Sequence, residues 1–268
     1  MPADAAWVDG RAATAAELRA LAGCNYGHFS TLQVRGGAVQ GLALHLDRLQ
    51  ASTRELFGVD LPPARIRREM RAALDADGRA DCTLRATVFA PGHDPSATTP
   101  AAAPHVLVST MPAAAVAGRP LRVKSFGYRR VLPHVKHVGT FPLFLHRRMA
   151  AAAGFDDALF VDDDGAVSEG SVWNIVFDAG DRFVWPQAPA LRGTCEQLLQ
   201  AGLAEAGIRQ ETRPVRLDGM AGGMQGAFAV NARGIRAIAS IDDVAWELPE
   251  ARRPVLQAAL DSTPWHLL

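Results

Sequence analysis

Three groups of residues in this sequence could do chemistry together. Lys136 offers an amine between the apolar residues Val135 and Val138, Glu169 offers a carboxylate at a predicted turn, and residues 191–195 lead into a predicted helix. A lysine amine that loses its proton easily can form a Schiff base with a carbonyl group. A carboxylate can keep a ring nitrogen protonated, and the free N–H groups at a helix start bind phosphate.

These three groups are what a protein must supply to hold pyridoxal phosphate. Taken singly, each has a simpler explanation. Lys136 could be a surface lysine at a strand end, Glu169 an exposed carboxylate at a sheet edge, and Thr194 an ordinary helix cap. The three groups in this order favour a pyridoxal-phosphate site as the first hypothesis.

The low lysine content supports a chemical role for Lys136. Lys124 and Lys136 are the only lysines of the chain, so arginine supplies nearly all of its 28 basic residues. Where arginine serves at most basic positions, a remaining lysine is favoured at places where the amine must lose its proton, because arginine stays protonated.

The composition argues against several other classes of function. A formal net charge of zero argues against a general binder of nucleic acid or of membrane surfaces. Three widely spaced cysteines, Cys24, Cys82 and Cys195, predict neither a disulfide framework nor a zinc site, and no other metal site is predicted. Because neither a signal peptide nor a stretch of about 18 apolar residues is evident, we expect a cytoplasmic location.

Hydrophobic periodicity predicts the elements that must position these residues. Strands are predicted near residues 6–10, 28–34, 38–44, 83–90, 105–111, 121–128, 172–177, 210–217, 226–232 and 236–241. Helices are predicted near 15–21, 44–57, 143–153 and 197–206, from 62 onward, and near 250–260, where the last helix is expected to close the chain. Strands dominate and helices are inserted unevenly, which predicts an α+β fold with domains at 1–114 and 121–268 joined by a linker at 115–120.

The order of these segments resembles the class IV aminotransferases, the fold type IV pyridoxal-phosphate enzymes. That family includes branched-chain and D-amino acid aminotransferases and aminodeoxychorismate lyase, and the resemblance runs from Tyr26 to Ile241. Five motifs match in order. In His45–Leu49, Arg48 would hold the cofactor phosphate; Lys136 matches the Schiff-base lysine; and Glu169, followed by Asn174 and Ile175, matches the partner of the pyridine nitrogen. Leu191–Gly193 matches the phosphate turn, with Thr194 and Cys195 at the phosphate, and Asn231 with Ala232 matches a second phosphate contact.

The resemblance implies a smaller N-terminal domain built as an α/β sandwich and a larger barrel-like C-terminal domain, with pyridoxal phosphate between them. It also implies a homodimer that acts on a small-molecule amino donor and a keto acid, with no nucleic-acid or membrane partner.

Some positions depart from the best-known members. Phe141 stands where branched-chain enzymes carry a tyrosine, and Cys195 and Glu196 stand where a threonine and an arginine are usual. Lys136-His137 and residues 29–31 (Phe-Ser-Thr) look more like the lyase branch, in which Thr31 or Ser30 would relay a proton. These departures predict a remodelled substrate pocket.

Three functions follow in order of preference. The first is a pyridoxal-phosphate-dependent aminotransferase, and the second is a lyase similar to aminodeoxychorismate lyase that uses Thr31. The third is a catalytically silent relative that binds or scaffolds, against which the retained Lys136 and Glu169 argue. Candidate partners for a substrate carboxylate are Arg35, Arg129, Arg130 and Arg233.

Overall fold

The computed structural model describes residues 5–93, 96, 103–114, 118–247 and 251–268. Contacts within the chain divide it into two units. Unit 1 comprises Met1–Ala114, Val135–Gly139 and Pro264–Leu268, and unit 2 comprises Ala115–His134 and Thr140–Thr263. The domain limits 1–114 and 121–268 stay a prediction, and residues 115–117 of the expected linker lie outside the described residues.

The secondary-structure elements have the following bounds. The helices are α1 (Ala15–Gly23), α2 (Leu42–Phe57), α3 (Pro63–Asp77), α4 (Phe141–Ala152), α5 (Thr194–Glu205), α6 (Met220–Gly223) and α7 (Arg252–Asp261), with a 3-10 turn at Leu217–Gly219. The strands are β1 (Ala5–Val8), β2 (Arg11–Ala12), β3 (Gly27–Val34), β4 (Ala38–Gln40), β5 (Cys82–Phe89), β6 (His105–Pro112), β7 (Leu121–Gly127), β8 (Asp157–Val161), β9 (Val167–Gly170), β10 (Asn174–Asp178), β11 (Phe183–Pro186), β12 (Gln210–Arg213), β13 (Gly226–Asn231), β14 (Gly234–Ile241), β15 (Val244–Ala245) and β16 (Trp265–Leu267).

Unit 1 is an antiparallel sheet in the order β2-β1-β6-β5-β3, with α2 and α3 packed against it. Helix α2 presents apolar residues at intervals of three and four, among them Leu42, Leu46 and Leu49, and these side chains are buried with Leu84 of β5. That spacing places them on one helix face, which is why the segment folds as a helix against the sheet.

Residues 135–139 extend the unit 1 sheet beyond its edge strand β3. The Phe29 N–H donates to the Lys136 carbonyl at 2.9 Å, and the Val138 N–H donates to the Gly27 carbonyl at 2.9 Å. An edge strand offers unpaired backbone groups, and here this short segment takes them. The backbone of Lys136 is therefore fixed by the sheet.

Unit 2 is a mixed sheet in the order β12-β11-β10-β13-β14-β7-β8-β9, with β15 added on β14. The parallel strands β7 and β8 are joined through α4, which packs on β8. Helices α5 and α7 cover another part of the sheet, where Leu199, Leu203 and Leu256 are buried with Phe183 and Phe228. The predicted α+β fold is confirmed.

Two local predictions are wrong. Glu169 does not lie in a turn but in the short strand β9, whose Val167 and Gly170 pair with β8. The chain does not close with a helix, because β16 follows α7 and pairs antiparallel with β4. Both strands have only three or four residues, too few to show a periodic pattern in the sequence.

The described residues contain no helix that is both long and apolar enough to cross a membrane. Across those same residues, no cluster of three or more His, Cys, Asp or Glu side chains could hold a metal ion.

Helix α5 lies so close to α7 that Gly202 leaves no room for a side chain. A Cβ atom on Gly202 would lie 2.0 Å from the Ala259 carbonyl oxygen. We expect Gly202→Ala to lower the free energy of unfolding by about 1–3 kcal/mol, the usual cost of overpacking, measured by denaturant titration of tryptophan fluorescence. The control is Gly23→Ala in α1, where an added Cβ has no atom within 4 Å. Equal stability of the two variants would contradict the close packing.

Candidate functional site

The amine of Lys136 lies beside an aromatic ring of unit 1. Lys136 Nζ is 4.9 Å from the centre of the Phe29 ring, and Arg85 Cζ is 3.6 Å from the same centre. Both contacts are cation–π interactions, which favour a positive charge next to the ring. Arg85 could not be identified from the sequence, because only the pairing of β5 with β3 brings it to Phe29.

Arg48 is held by a network between α2 and β3. Its Nη2 donates to Ser30 Oγ, and Ser30 Oγ lies 2.7 Å from His45 Nδ1. Arg48 Nη2, which can only donate, also lies 3.3 Å from His45 Nδ1, so Nδ1 is an acceptor and Ser30 donates its own proton to it. His45 is therefore a neutral imidazole with its proton on Nε2.

The electrostatics of His45 agree with this assignment. Burial, and then the charges of Arg48 and Lys136, hold the pKa of His45 well below its usual range. His28 is buried in the same region, and burial together with Arg48 lowers its pKa to about 3. Both histidines are uncharged at neutral pH, so Arg48 and Lys136 supply the positive charge here.

One nitrogen of Arg48 has no acceptor. Its Nε is buried and makes no hydrogen bond to any residue that the structure describes. A buried donor without an acceptor costs about 1–3 kcal/mol, and more when it is charged. The arrangement suits an anion, because a guanidinium binds phosphate or carboxylate strongly.

Ser30 and Thr31 have different surroundings. Ser30 is buried and bonded to Arg48 and His45. Thr31 pairs across the sheet with Arg85, and successive strand residues point to opposite faces. Thr31 therefore lies on the same face as Phe29, and Ser30 on the other.

Glu169 of unit 2 forms a buried ion pair with Arg130. Arg130 Nε donates to one carboxylate oxygen at 2.9 Å and Nη2 donates to the other at 3.3 Å. Their side chains are only 3% and 6% exposed. Tyr128 lies close to this pair, and its pKa is raised by burial first, with Arg130 lowering it and Glu169 raising it further. Arg130, a candidate for a substrate carboxylate, is thus bound to Glu169.

The segment before α5 is shaped by Asn174. Asn174 Nδ2 donates to the Leu191 carbonyl at 2.7 Å, and a Cβ on Gly193 would lie 2.1 Å from Asn174 Oδ1. Only glycine fits at position 193 while Asn174 keeps this place. Thr194 begins the helix, and its Oγ1 is buried without a hydrogen-bond partner in the described part of the chain.

The two residues that follow Thr194 are buried as well. Burial, and then the nearby Glu196 carboxylate, raise the pKa of Cys195 to about 12, so its thiol stays neutral. Glu196 accepts from the Gly193 N–H at 3.3 Å, and its other oxygen lies 3.1 Å from Arg192 Nε.

Asn231 ends β13 and begins the turn to β14, and Ala232 follows it in that turn. Asn231 Nδ2 donates to the Val172 carbonyl at 3.3 Å, and its Oδ1 accepts from the Arg233 N–H at 2.8 Å. The side chain therefore holds the turn.

The remaining arginine candidates carry no sign of a ligand site. Arg35 donates to the carbonyls of Val34 and Ala114, and Arg129 and Arg233 are exposed. The second lysine, Lys124, lies in β7 with its amine 3.9 Å from Asp242.

We compared the chain with protein-family models, curated proteins and solved structures. The family model for amino-transferase class IV matches residues 27–241. No curated protein matches the sequence.

Several solved structures share the fold. The 4-amino-4-deoxychorismate lyase from Pseudomonas aeruginosa is 26% identical, with 96% of this chain and 98% of that chain covered at a TM-score of 0.82. The putative 4-amino-4-deoxychorismate lyase from Legionella pneumophila subsp. pneumophila str. Philadelphia 1 is 18% identical, with 90% and 92% covered at 0.83. The branched-chain aminotransferase from the thermophilic archaeon Thermoproteus uzoniensis, solved with norvaline, is 21% identical, with 97% and 93% covered at 0.81.

The contribution of the buried Arg130–Glu169 ion pair to stability can be tested by substitution. Arg130→Met leaves the buried carboxylate of Glu169 without its partner, so we expect a loss of about 3–5 kcal/mol in the free energy of unfolding, measured by urea titration. Arg129→Met, at the neighbouring exposed position, is expected to change it by less than about 0.5 kcal/mol. Similar values for the two variants would contradict the role of the pair.

Proposed function

The chain belongs to the class IV aminotransferase family, and from that premise we propose that it is an aminotransferase. It moves an amino group between an amino acid, or another amine, and a 2-keto acid. Pyridoxal phosphate is the cofactor of this family. Sequence similarity leaves the reaction type open between transfer and elimination, so the proposal depends on the residues of this chain.

The residues fit the cofactor in both units. Arg48 Nε and Thr194 Oγ1 are buried donors that lack an acceptor among the described residues, and a phosphate group supplies acceptor oxygens. The Gly193 N–H is bonded to Glu196, but the N–H groups of the next residues have no helix carbonyl to bind and add to this. We assign the phosphate to Arg48, Gly193, Thr194 and Cys195, with Asn231 and Ala232 as a second contact, the pyridine nitrogen to Glu169, and the aldehyde to Lys136.

The surroundings of Lys136 carry the proposal. Its amine and the Arg85 guanidinium both lie within 5 Å of the Phe29 ring centre. An amino-acid substrate presents a carboxylate next to its amino group, and a guanidinium is the side chain that best binds a carboxylate. Arg85 is therefore proposed to attract the substrate carboxylate toward Lys136.

Each residue has a defined task in this account. Pyridoxal phosphate, when bound, supplies an electron sink for the charge left after the α-proton departs. Lys136 Nζ removes and returns that proton, and the backbone bonds of its residue to β3 limit its movement. Arg130 holds the Glu169 carboxylate in place through two hydrogen bonds.

The assembly and location follow from the same family resemblance. We propose a homodimer that takes a small-molecule amino donor and a keto acid, in the cytoplasm and without a nucleic-acid partner.

Lys136→Ala tests the proposal against the matched variant Lys124→Ala. We expect wild type and Lys124→Ala, reconstituted with pyridoxal phosphate, to show a visible absorbance band that Lys136→Ala lacks. An amino-acid mixture is expected to remove the band and a 2-keto acid to restore it, because transfer leaves the amino group on the bound cofactor between the two substrates.

Two other outcomes of this experiment would point to other functions. A band that amino acids leave unchanged while ammonia or pyruvate is released would support elimination instead. Absence of the band in reconstituted wild type would contradict the aminotransferase and favour a silent relative.

A lyase similar to aminodeoxychorismate lyase is the second candidate. It is favoured by the position of Thr31, which pairs with Arg85 on the strand face that carries Phe29. The 26% identity to the Pseudomonas aeruginosa enzyme supports the same candidate. A hydroxyl in this place could relay a proton to a leaving pyruvate carbon.

Thr31→Val tests the lyase candidate, because valine keeps the shape and removes the hydroxyl. If the chain eliminates pyruvate from aminodeoxychorismate, we expect kcat to fall about 100-fold or more with KM nearly unchanged, the usual effect of losing a proton relay. Thr31→Ser, which keeps the hydroxyl, is the control. Equal kcat in Thr31→Val and wild type would remove Thr31 from the mechanism.

A further inference from the structure

Glu196 is an acidic residue in an unusual position. It is the third residue of α5 and is only 6% exposed. One carboxylate oxygen accepts from the Gly193 N–H at 3.3 Å, and the other lies 3.1 Å from Arg192 Nε. The side chain thus folds back onto the start of the helix, beside the unpartnered Thr194 hydroxyl described above.

A small polar cavity adjoins this carboxylate. It measures about 90 Å³, and Ser168, Asn174, Gln187, Arg192 and Thr212 line it together with Glu196. A cavity of this size can hold water. Water in this cavity would let Glu196 exchange a proton although its surface is buried.

Few charges act on Glu196. Arg192 is the attracting group and Glu169 of β9 the repelling one, while Cys195 on its own helix is a neutral thiol. In the elements that pack against α5, Arg252 of α7 pairs with Asp178, and Glu211 of β12 pairs with Arg182 and Arg213. The other charged residues of α7, Arg253 and Asp261, are exposed. Residues 226–231 of β13 carry no charged side chain.

Burial has the largest effect on the pKa of Glu196. It raises the pKa of Glu196 to about 7, assisted by Glu169 and opposed by Arg192 and the Gly193 N–H. Below that pH the side chain is neutral, and above it the side chain is an anion at the first turn of α5.

We propose that Glu196 links binding of the cofactor phosphate to uptake of a proton. The inference rests on the proposed function, because it needs a phosphate at the start of α5. The phosphate is a dianion above its second pKa of about 6, and two anions at one helix start repel each other. Binding is therefore strongest where Glu196 is protonated and weakens as the pH rises.

The direction of the pH effect follows from the linkage between phosphate binding and proton binding. Glu196 in the phosphate-free chain loses its proton near pH 7, and a bound dianion raises its pKa further, so the complex holds more protons than the free protein. Affinity then falls with rising pH from the free pKa up to the raised one. A rise of one pKa unit corresponds to a tenfold loss of affinity, which is the effect we expect between about pH 6 and about pH 8.5.

The test uses 4′-deoxypyridoxine 5′-phosphate, which keeps the phosphate and ring but has no aldehyde for Lys136. Its dissociation constant is measured by equilibrium dialysis across that pH range for the full chain. Glu196→Gln keeps an oxygen that can accept from Gly193 and removes the charge. Glu205→Gln, at the exposed far end of the same helix, is the matched control.

As the pH rises, we expect the affinity of wild type and of Glu205→Gln to fall about tenfold more than the affinity of Glu196→Gln. At high pH, Glu196→Gln should bind more tightly than wild type. Calorimetry in buffers of different ionisation enthalpy should show net proton uptake by wild type, reduced in Glu196→Gln. Arg192→Gln, which keeps Glu196 and removes its attracting partner, should move the loss of affinity to higher pH.

Several results would overturn the inference. These are an equal pH dependence in Glu196→Gln and wild type, or a loss of affinity in Glu196→Gln that is uniform with pH. If Glu196→Gln does not fold, the absence of proton uptake by wild type or of a shift in Arg192→Gln overturns it. Binding without pH dependence defeats this inference alone, whereas no binding at any pH defeats the proposed function with it.

Discussion

Buried hydrogen-bond donors that lack an acceptor are the constraint on which this account depends. Arg48 Nε in unit 1 and Thr194 Oγ1 in unit 2 both lie inside the protein, with no partner among the described residues. Each costs about 1–3 kcal/mol in the folded chain, and the charged guanidinium more. An anion bound at either donor would supply acceptor oxygens and remove the cost of that donor. The proposed phosphate contacts of Arg48 and of Thr194 are based on this cost.

The surrounding structure holds these donors in place. Ser30 and the neutral His45 fix the guanidinium of Arg48 from one side, so its Nε is left for a ligand. Asn174 holds the Leu191 carbonyl and packs on Gly193, which sets where the first turn of α5 begins. Preorganisation of this kind lowers the entropy that binding must overcome.

Residues whose chemistry is local could be predicted from the sequence, and residues brought in by strand pairing could not. Lys136, Glu169 and the Leu191–Cys195 turn were identified by residue type, order and a family resemblance, and the family membership and fold are confirmed. Arg85 was missed because it lies more than fifty residues from Phe29 in sequence and meets it only through the register of β3 and β5. Arg130 was expected to bind a substrate carboxylate rather than Glu169, because the two residues lie 39 positions apart in sequence and Arg130 lies in a loop. The roles of individual site residues stay predictions.

The central claim is that Lys136 binds pyridoxal phosphate covalently through its amine. The most direct test is reduction of the reconstituted protein with borohydride, followed by proteolysis and mass spectrometry of the peptides. The account predicts one phosphopyridoxyl group, on the peptide that contains Lys136 and on that residue. A group found only on Lys124 or on the N-terminal amine, or no group at all, would contradict it.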